Sequence, residues 1–182
     1  MYWKGENAVN LPNKLTLLRV LLIPLCVLLL YLGWMVPGAI VFGIAMFTDF
    51  LDGYLARKNN LITNFGKFAD PVADKILAIC VMIVLQHQGL YPWWAVAIVA
   101  ARELAVDGLR LVAVERGIVI PAGNLGKLKT NAQFFSILSA MLSGPHWLTL
   151  TLVILMSLLT IVSGVQYFLG AGDLLKDWKD PA

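Results

Sequence analysis

Twenty-nine consecutive residues, Val20 to Thr48, contain no Asp, Glu, Lys or Arg. A soluble domain has little use for an apolar run that long, and a bilayer does, because one spanning helix needs about 20 apolar residues. Gly33, Pro37 and Gly38 break the run near its middle, so it reads as two helices and a turn. Two full spans with a turn need about 40 residues or more. Charged residues at both ends of the run must therefore reach into the membrane from the same side. The pattern repeats downstream, with helices expected at about 14–33, 38–58, 65–88, 92–116, 128–144 and 147–170. Turn signals lie at Gly33 to Gly38, Gln86 to Pro92, Gly117 to Gly126 and Ser143 to Pro145. Composition agrees: 59% of the 182 residues are hydrophobic and 14% charged, against roughly 25% charged in a soluble domain. The expected fold is all-α, a polytopic membrane protein with six transmembrane helices. Met1 to Asn13 forms an interfacial segment, and residues 1–182 form a single domain.

The positions of the charges orient this bundle. All 14 Lys and Arg fall in four groups, Lys4 to Arg19, Arg57 to Lys75, Arg102 to Lys129, and Lys176 to Lys179. The other three turns contain none. By the positive-inside rule both termini and the basic turns are cytosolic. The 11 carboxylates share that half, so any chemistry faces the cytosol. His87 and His146 fall in the opposite turns as solvated residues. Trp34, Trp93, Trp94 and Trp147 fall at helix ends, where indole rings favour the headgroup level. Cys26 and Cys80 form neither a C-x-x-C pair nor a disulfide framework and read as small apolar residues. A net charge of +3 gives no reason to expect nucleic acid.

Asp49 and Asp52 stand i, i+3 on one helix, and Asp70 and Asp74 stand i, i+4 on the next, so each pair shares a face. A short turn joins these helices, and antiparallel neighbours would bring the four carboxylates together at their inner ends. Intramembrane carboxylates are costly and face a bundle interior or a watery cavity. Four close anions repel one another; a divalent cation removes the conflict, and oxygen ligands select a hard ion such as Mg²⁺ or Mn²⁺. Structural alternatives exist for each residue alone. Asp70 before Pro71 has the form of an N-cap with proline at the first helical position. Asp49 and Asp52 have Arg57 and Lys58 as ion-pair partners nearby.

The pattern Asp49-x-x-Asp52-Gly53-x-x-Ala56-Arg57, eight residues, Gly66, three residues, Asp70, three residues, Asp74 resembles the signature of the CDP-alcohol phosphatidyltransferase family. It fixes eight positions within 26 residues. The resemblance implies six helices and displacement of CMP from a CDP-linked lipid by an alcohol. It implies that Asp49, Asp52, Asp70 and Asp74 hold two metal ions, Mg²⁺ or Mn²⁺, and that Asp74 is also the general base. Gly53, Ala56, Arg57 and Gly66 would meet the CDP-diacylglycerol. Asn13 and Thr16 would line the nucleotide pocket, in a segment, Leu11 to Thr16, that is similar to the family's N-terminal piece.

The acceptor alcohol is read from the remaining cations. Arg102 and Arg110 lie eight residues apart on one helix, so at least one reaches toward the hydrocarbon. A buried cation needs an anion, and a phosphate-bearing acceptor supplies one; Glu103 and Asp107 are internal alternatives. The stretches Gly66 to Lys75, Ala101 to Leu104 and Gly126 to Thr130 resemble those of bacterial family members that use sn-glycerol 3-phosphate. That implies an acceptor-phosphate site of Arg102, Arg110, Lys127 and Lys129. It also implies a multi-pass protein of the bacterial inner membrane, in contact with membrane lipids and expected to be a homodimer. A family member with phosphatidylglycerol as acceptor, forming cardiolipin, is the alternative. An ion-coupled transporter places its site near the midplane between repeats, and this chain has neither a repeat nor midplane acids.

Overall fold

The computed structural model describes residues 11–58, 64–115, 118 and 123–171, and their side chains at 16–48, 71–114, 118 and 123–171. These residues form six helices, α1 Leu11–Tyr31, α2 Met35–Lys58, α3 Asn64–His87, α4 Trp93–Glu115, α5 Asn124–Met141 and α6 His146–Gly170. No strand occurs among them. The expected interfacial segment lies outside the described residues, apart from its last three.

Three helix starts come earlier than the sequence predicts. α1 begins three residues before the expected position, with Pro12 in its first turn, and α2 likewise with Pro37. Proline is harmless there, because the first-turn N–H groups have no intrahelical acceptor. α5 begins at Asn124 rather than near Leu128, so Gly126 is helical and not part of the preceding turn. α3 contains Pro71 in its interior, which puts Asp70 in the helix's second turn and removes the N-cap reading of that residue.

The helices group into two compact units, residues 1–85 and 86–182. In the first, Gly33 takes a left-handed φ of +80° and reverses the chain between α1 and α2, which pack on each other. α1 buries Thr16, Arg19, Ile23, Cys26 and Leu30, a three–four spacing that marks one helix face. α2 buries Ala39, Phe42, Ala45 and Thr48, and α3 buries Ala73, Leu77, Val81 and Leu85. Gly38 marks a close approach of α1 and α2: a Cβ there would sit 2.4 Å from Leu30 Cδ2, while Cys26 Sγ lies 3.5 Å from the Gly38 carbonyl and donates to it.

In the second unit α5 and α6 pack together and α4 packs on α6. The buried stripe of α6 is Thr149, Val153, Met156, Ser157, Thr160, Ser163, Gly164 and Tyr167, while Leu150, Ile154, Leu155, Leu158, Ile161 and Val165 are exposed. Small and hydroxylated residues inside and aliphatic residues outside is the arrangement of helices that associate in lipid by close packing. The buried hydroxyls are satisfied locally: Ser157 donates to the Val153 carbonyl and Thr160 to the Met156 carbonyl, at 2.8 and 2.7 Å. Tyr91 Oη, in the turn before α4, shares a 2.7 Å hydrogen bond with Ser136 Oγ of α5, and between α5 and α6 Ser139 and Thr149 share one of 2.8 Å.

Large apolar side chains are exposed on all six helices, with Trp34, Trp93 and Trp147 exposed at helix ends. Among the described residues α6 is the one helix long and apolar enough to cross a membrane by itself; α1 and α2 have shorter apolar stretches, Thr16–Tyr31 and Met35–Thr48. Six apolar spans are the sequence expectation.

Candidate active site

α2 is continuous through Asp49 and Asp52, and α3 through Asp70 and Asp74. Each aspartate pair therefore shares a helix face, as its spacing requires. The side chains of Asp49, Asp52 and Asp70 lie outside the described residues, as do those of Asn13, Ala56 and Arg57 and the surroundings of Gly53 and Gly66. Among the described residues no three His, Cys, Asp or Glu side chains gather as a metal site. Four carboxylates on two helical faces form an all-oxygen donor set, which fits a hard divalent cation.

Asp74 is described, and it has a partner that the spacing of the aspartates does not reveal. Arg19, with no exposed surface, places its Nη1 3.2 Å from Asp74 Oδ1. Its Nε lies 3.4 Å from the Ala45 carbonyl and donates to it. Ala45 is one turn before Asp49 on α2. Arg19 thus joins α1 to both helices that carry the acidic motif. Thr16, one turn earlier, is 1% exposed. The sequence groups Arg19 with the cytosolic charges; the helix start at Leu11 puts it eight residues into α1, about 12 Å along the axis.

The second unit holds Arg102, Arg110, Lys127 and Lys129. Glu103 Oε1 accepts from Arg102 Nη1 at 3.2 Å and from Lys129 Nζ in a short contact. Lys129 is 4% and Glu103 7% exposed, so the internal anion expected as an alternative to phosphate is present. Arg102 Nη2 also donates to Ser163 Oγ at 3.4 Å. Arg110 Nη2 donates to Tyr167 Oη at 2.7 Å. The Nε atoms of Arg102 and Arg110 are buried without a hydrogen-bond partner among the described residues, so donor capacity remains unspent. Lys127 is exposed. Two positions from Lys129, it does not share that residue's face and stands apart from the other three cations.

Gly164 makes room for Arg102: a Cβ there would lie 3.2 Å from Arg102 Cγ, tighter than an ordinary contact, and would press on the side-chain stem. A Cβ on Gly126 would meet Arg102 Nη2 at an ordinary 3.9 Å. Both arginines also rest on Tyr167, whose ring centre is 5.4 Å from the Arg102 guanidinium carbon and 5.2 Å from that of Arg110.

Residues 9–165 match the family model described as CDP-alcohol phosphatidyltransferase. The chain belongs to that family. Among its relatives is a Bacillus subtilis protein named CDP-diacylglycerol–glycerol-3-phosphate 3-phosphatidyltransferase, 41% identical over 191 residues, covering 92% of this chain and 97% of the relative. A Rickettsia typhi protein of the same name is 40% identical over 169 residues, covering 87% of this chain and 95% of the relative. A Mycobacterium tuberculosis protein named probable phosphatidylglycerophosphate synthase is 41% identical over 167 residues, covering 87% of this chain and 79% of the relative. Membership in the phosphatidyltransferase family accounts for the acidic pattern. Arg19, Glu103, Gly164 and Tyr167 are contributions of the fold that the family signature does not contain.

Proposed function

We propose that this chain transfers the phosphatidyl group of CDP-diacylglycerol to sn-glycerol 3-phosphate, giving phosphatidylglycerophosphate and CMP. The observation that carries the reading is identity near 40% along most of the chain to relatives named for that reaction. The acidic motif and the basic cluster of the second unit support it.

The roles assigned to residues are part of the proposal. Asp49, Asp52, Asp70 and Asp74 hold two divalent cations, Mg²⁺ or Mn²⁺. The chemistry supplied there is neutralisation of the pyrophosphate and of the charge on attacking and leaving oxygens. Asp74 takes the proton of the acceptor hydroxyl as it attacks phosphorus. Asn13, Thr16, Gly53, Ala56, Arg57 and Gly66 bind CDP-diacylglycerol, the small residues allowing close approach. Arg102, Arg110 and Lys129, with Lys127 at the exposed edge, bind the acceptor's phosphate through charge-assisted hydrogen bonds. Glu103 holds Arg102 and Lys129 in place before the acceptor arrives.

All six helices span the bacterial inner membrane as one domain, with both termini and the site cytosolic. Aliphatic exposure on every helix and tryptophans at helix ends support that arrangement, and a homodimer is the proposed assembly. The test is CMP release from CDP-diacylglycerol with a panel of acceptors, with and without Mg²⁺ or Mn²⁺. Activity confined to sn-glycerol 3-phosphate and abolished by EDTA is expected. Equal reaction with free glycerol or inositol rejects the acceptor, preference for phosphatidylglycerol favours the cardiolipin-forming alternative, and full activity in EDTA rejects the metal.

A further inference from the structure

The second unit holds two guanidiniums and an ammonium, and a phosphate site needs such cations placed before the anion arrives. Glu103 answers Arg102 and Lys129. Arg110 is held differently, by the hydroxyl and ring of Tyr167. The same ring lies against Arg102. Tyr167 is 8% exposed and packs with Val106, Leu109 and Ala171, so it is itself immobile. One aromatic side chain of α6 therefore meets two arginines that stand eight residues apart on α4.

We propose that Tyr167 is the positioning residue of the acceptor site: it holds Arg102 and Arg110 as a pair, so that a phosphomonoester finds both guanidiniums already placed. The proposal rests on the reading that these arginines bind the acceptor's phosphate, and adds what organises them. The negative face of the ring attracts each guanidinium. The phenol oxygen accepts from Arg110 Nη2 and fixes the direction of its remaining donors. Gly164, one turn before Tyr167, leaves space for the Arg102 stem. α6 thus supplies a slot and a platform one turn apart. Preorganised cations lose less conformational freedom when the phosphate binds than free ones do. The consequence is selectivity for acceptors with a phosphate, expressed in acceptor affinity, with the CDP-diacylglycerol side of the reaction left alone.

The experiment is steady-state kinetics of the full-length protein in detergent–lipid micelles, varying each substrate in turn. Tyr167→Phe keeps the ring and removes the hydroxyl, and should raise the KM for sn-glycerol 3-phosphate roughly 3- to 10-fold, the scale of one lost hydrogen bond. Tyr167→Leu removes both and should raise it on the order of 100-fold. In both variants the KM for CDP-diacylglycerol should stay within about twofold of the unaltered enzyme, and kcat should fall less than acceptor kcat/KM. In an Arg110→Ala background the further effect of Tyr167→Phe should vanish, because the two residues act as a pair. A merely structural tyrosine would lower both substrates' parameters together. An unchanged acceptor KM in Tyr167→Phe overturns the proposal, even if Tyr167→Leu fails to fold. If Arg102→Ala and Arg110→Ala themselves leave acceptor kinetics unchanged, the phosphate-site reading fails first. If those two raise the acceptor KM and Tyr167→Phe does not, only the role of Tyr167 fails.

Discussion

A guanidinium with no exposed surface has to find its partners inside the protein, and Arg19 finds them on two helices, donating to the Ala45 carbonyl and forming an ion pair with Asp74. Removing one member of a buried ion pair strands the other. The cost is about 3 kcal/mol, the low end of the usual range, because the Asp74 side chain is 30% exposed and water can reach it. Arg19→Met is therefore expected to unfold at clearly lower temperature in detergent, with Arg19→Lys intermediate; an unchanged unfolding temperature would reject the pairing as a stabilising contact. Asp74→Asn separates a different quantity. If Asp74 is the base, turnover should fall at least 100-fold, the lower end of general-base contributions, while CDP-diacylglycerol still binds. Near-normal turnover in that variant rejects the role. Lys129→Ala reports on the acceptor side. It removes a charged hydrogen bond worth about 1.5–3 kcal/mol, and roughly a 10- to 150-fold loss in acceptor kcat/KM is expected from steady-state assays.

Helices explain which of these residues a reader of the sequence can find. The pairing of aspartates on α2 and α3 follows from spacing alone, since i, i+3 and i, i+4 positions share a face in any helix; the buried face of α1, apolar all round, does not. The start of α5 does not follow. Gly126 reads as a breaker, yet it stands inside the helix, within ordinary contact distance of Arg102. Tyr167 is equally silent, because an aromatic residue within an apolar run has the same local pattern whether it faces lipid or two arginines. Gly164 offers an experiment that separates helix stability from site geometry. Gly164→Ala should favour α6 by about 1 kcal/mol through propensity. Its new Cβ, 3.2 Å from Arg102 Cγ, should displace the guanidinium. A thermal stability equal to or above that of the parent, together with a severalfold higher acceptor KM, is the expected result. Unchanged acceptor kinetics would mean that the Arg102 stem yields without consequence.

For the whole molecule, the strongest statement in the sequence is where Lys and Arg are missing. The turns around Gly33, Gln88 and Gly144 contain none, while every Lys and Arg lies in the alternate segments. A charge bias of that kind sets orientation during insertion. It requires an even number of spans if both termini are to share the basic side. Arg19, inside the first apolar helix, is buried and ion-paired with Asp74. Helices whose charges are paired internally can cross with fewer apolar residues than an isolated span, since the charged ends meet partners or a watery cavity and not lipid. α6, with no Lys, Arg, Asp or Glu from His146 to Gly170, is long and apolar enough to cross without such pairing. A reporter fused after Ala182 should therefore be cytosolic, and one inserted in the turn at Gln88 should face the opposite side. An accessible cysteine placed at Ser143 should label from outside intact cells, like Gln88 and unlike Ala182. The same sidedness at Ala182 and Gln88 would remove the six-span arrangement. It would leave the ion pair of Arg19 with Asp74 and the arginine–tyrosine cluster intact, because each lies within its own compact unit.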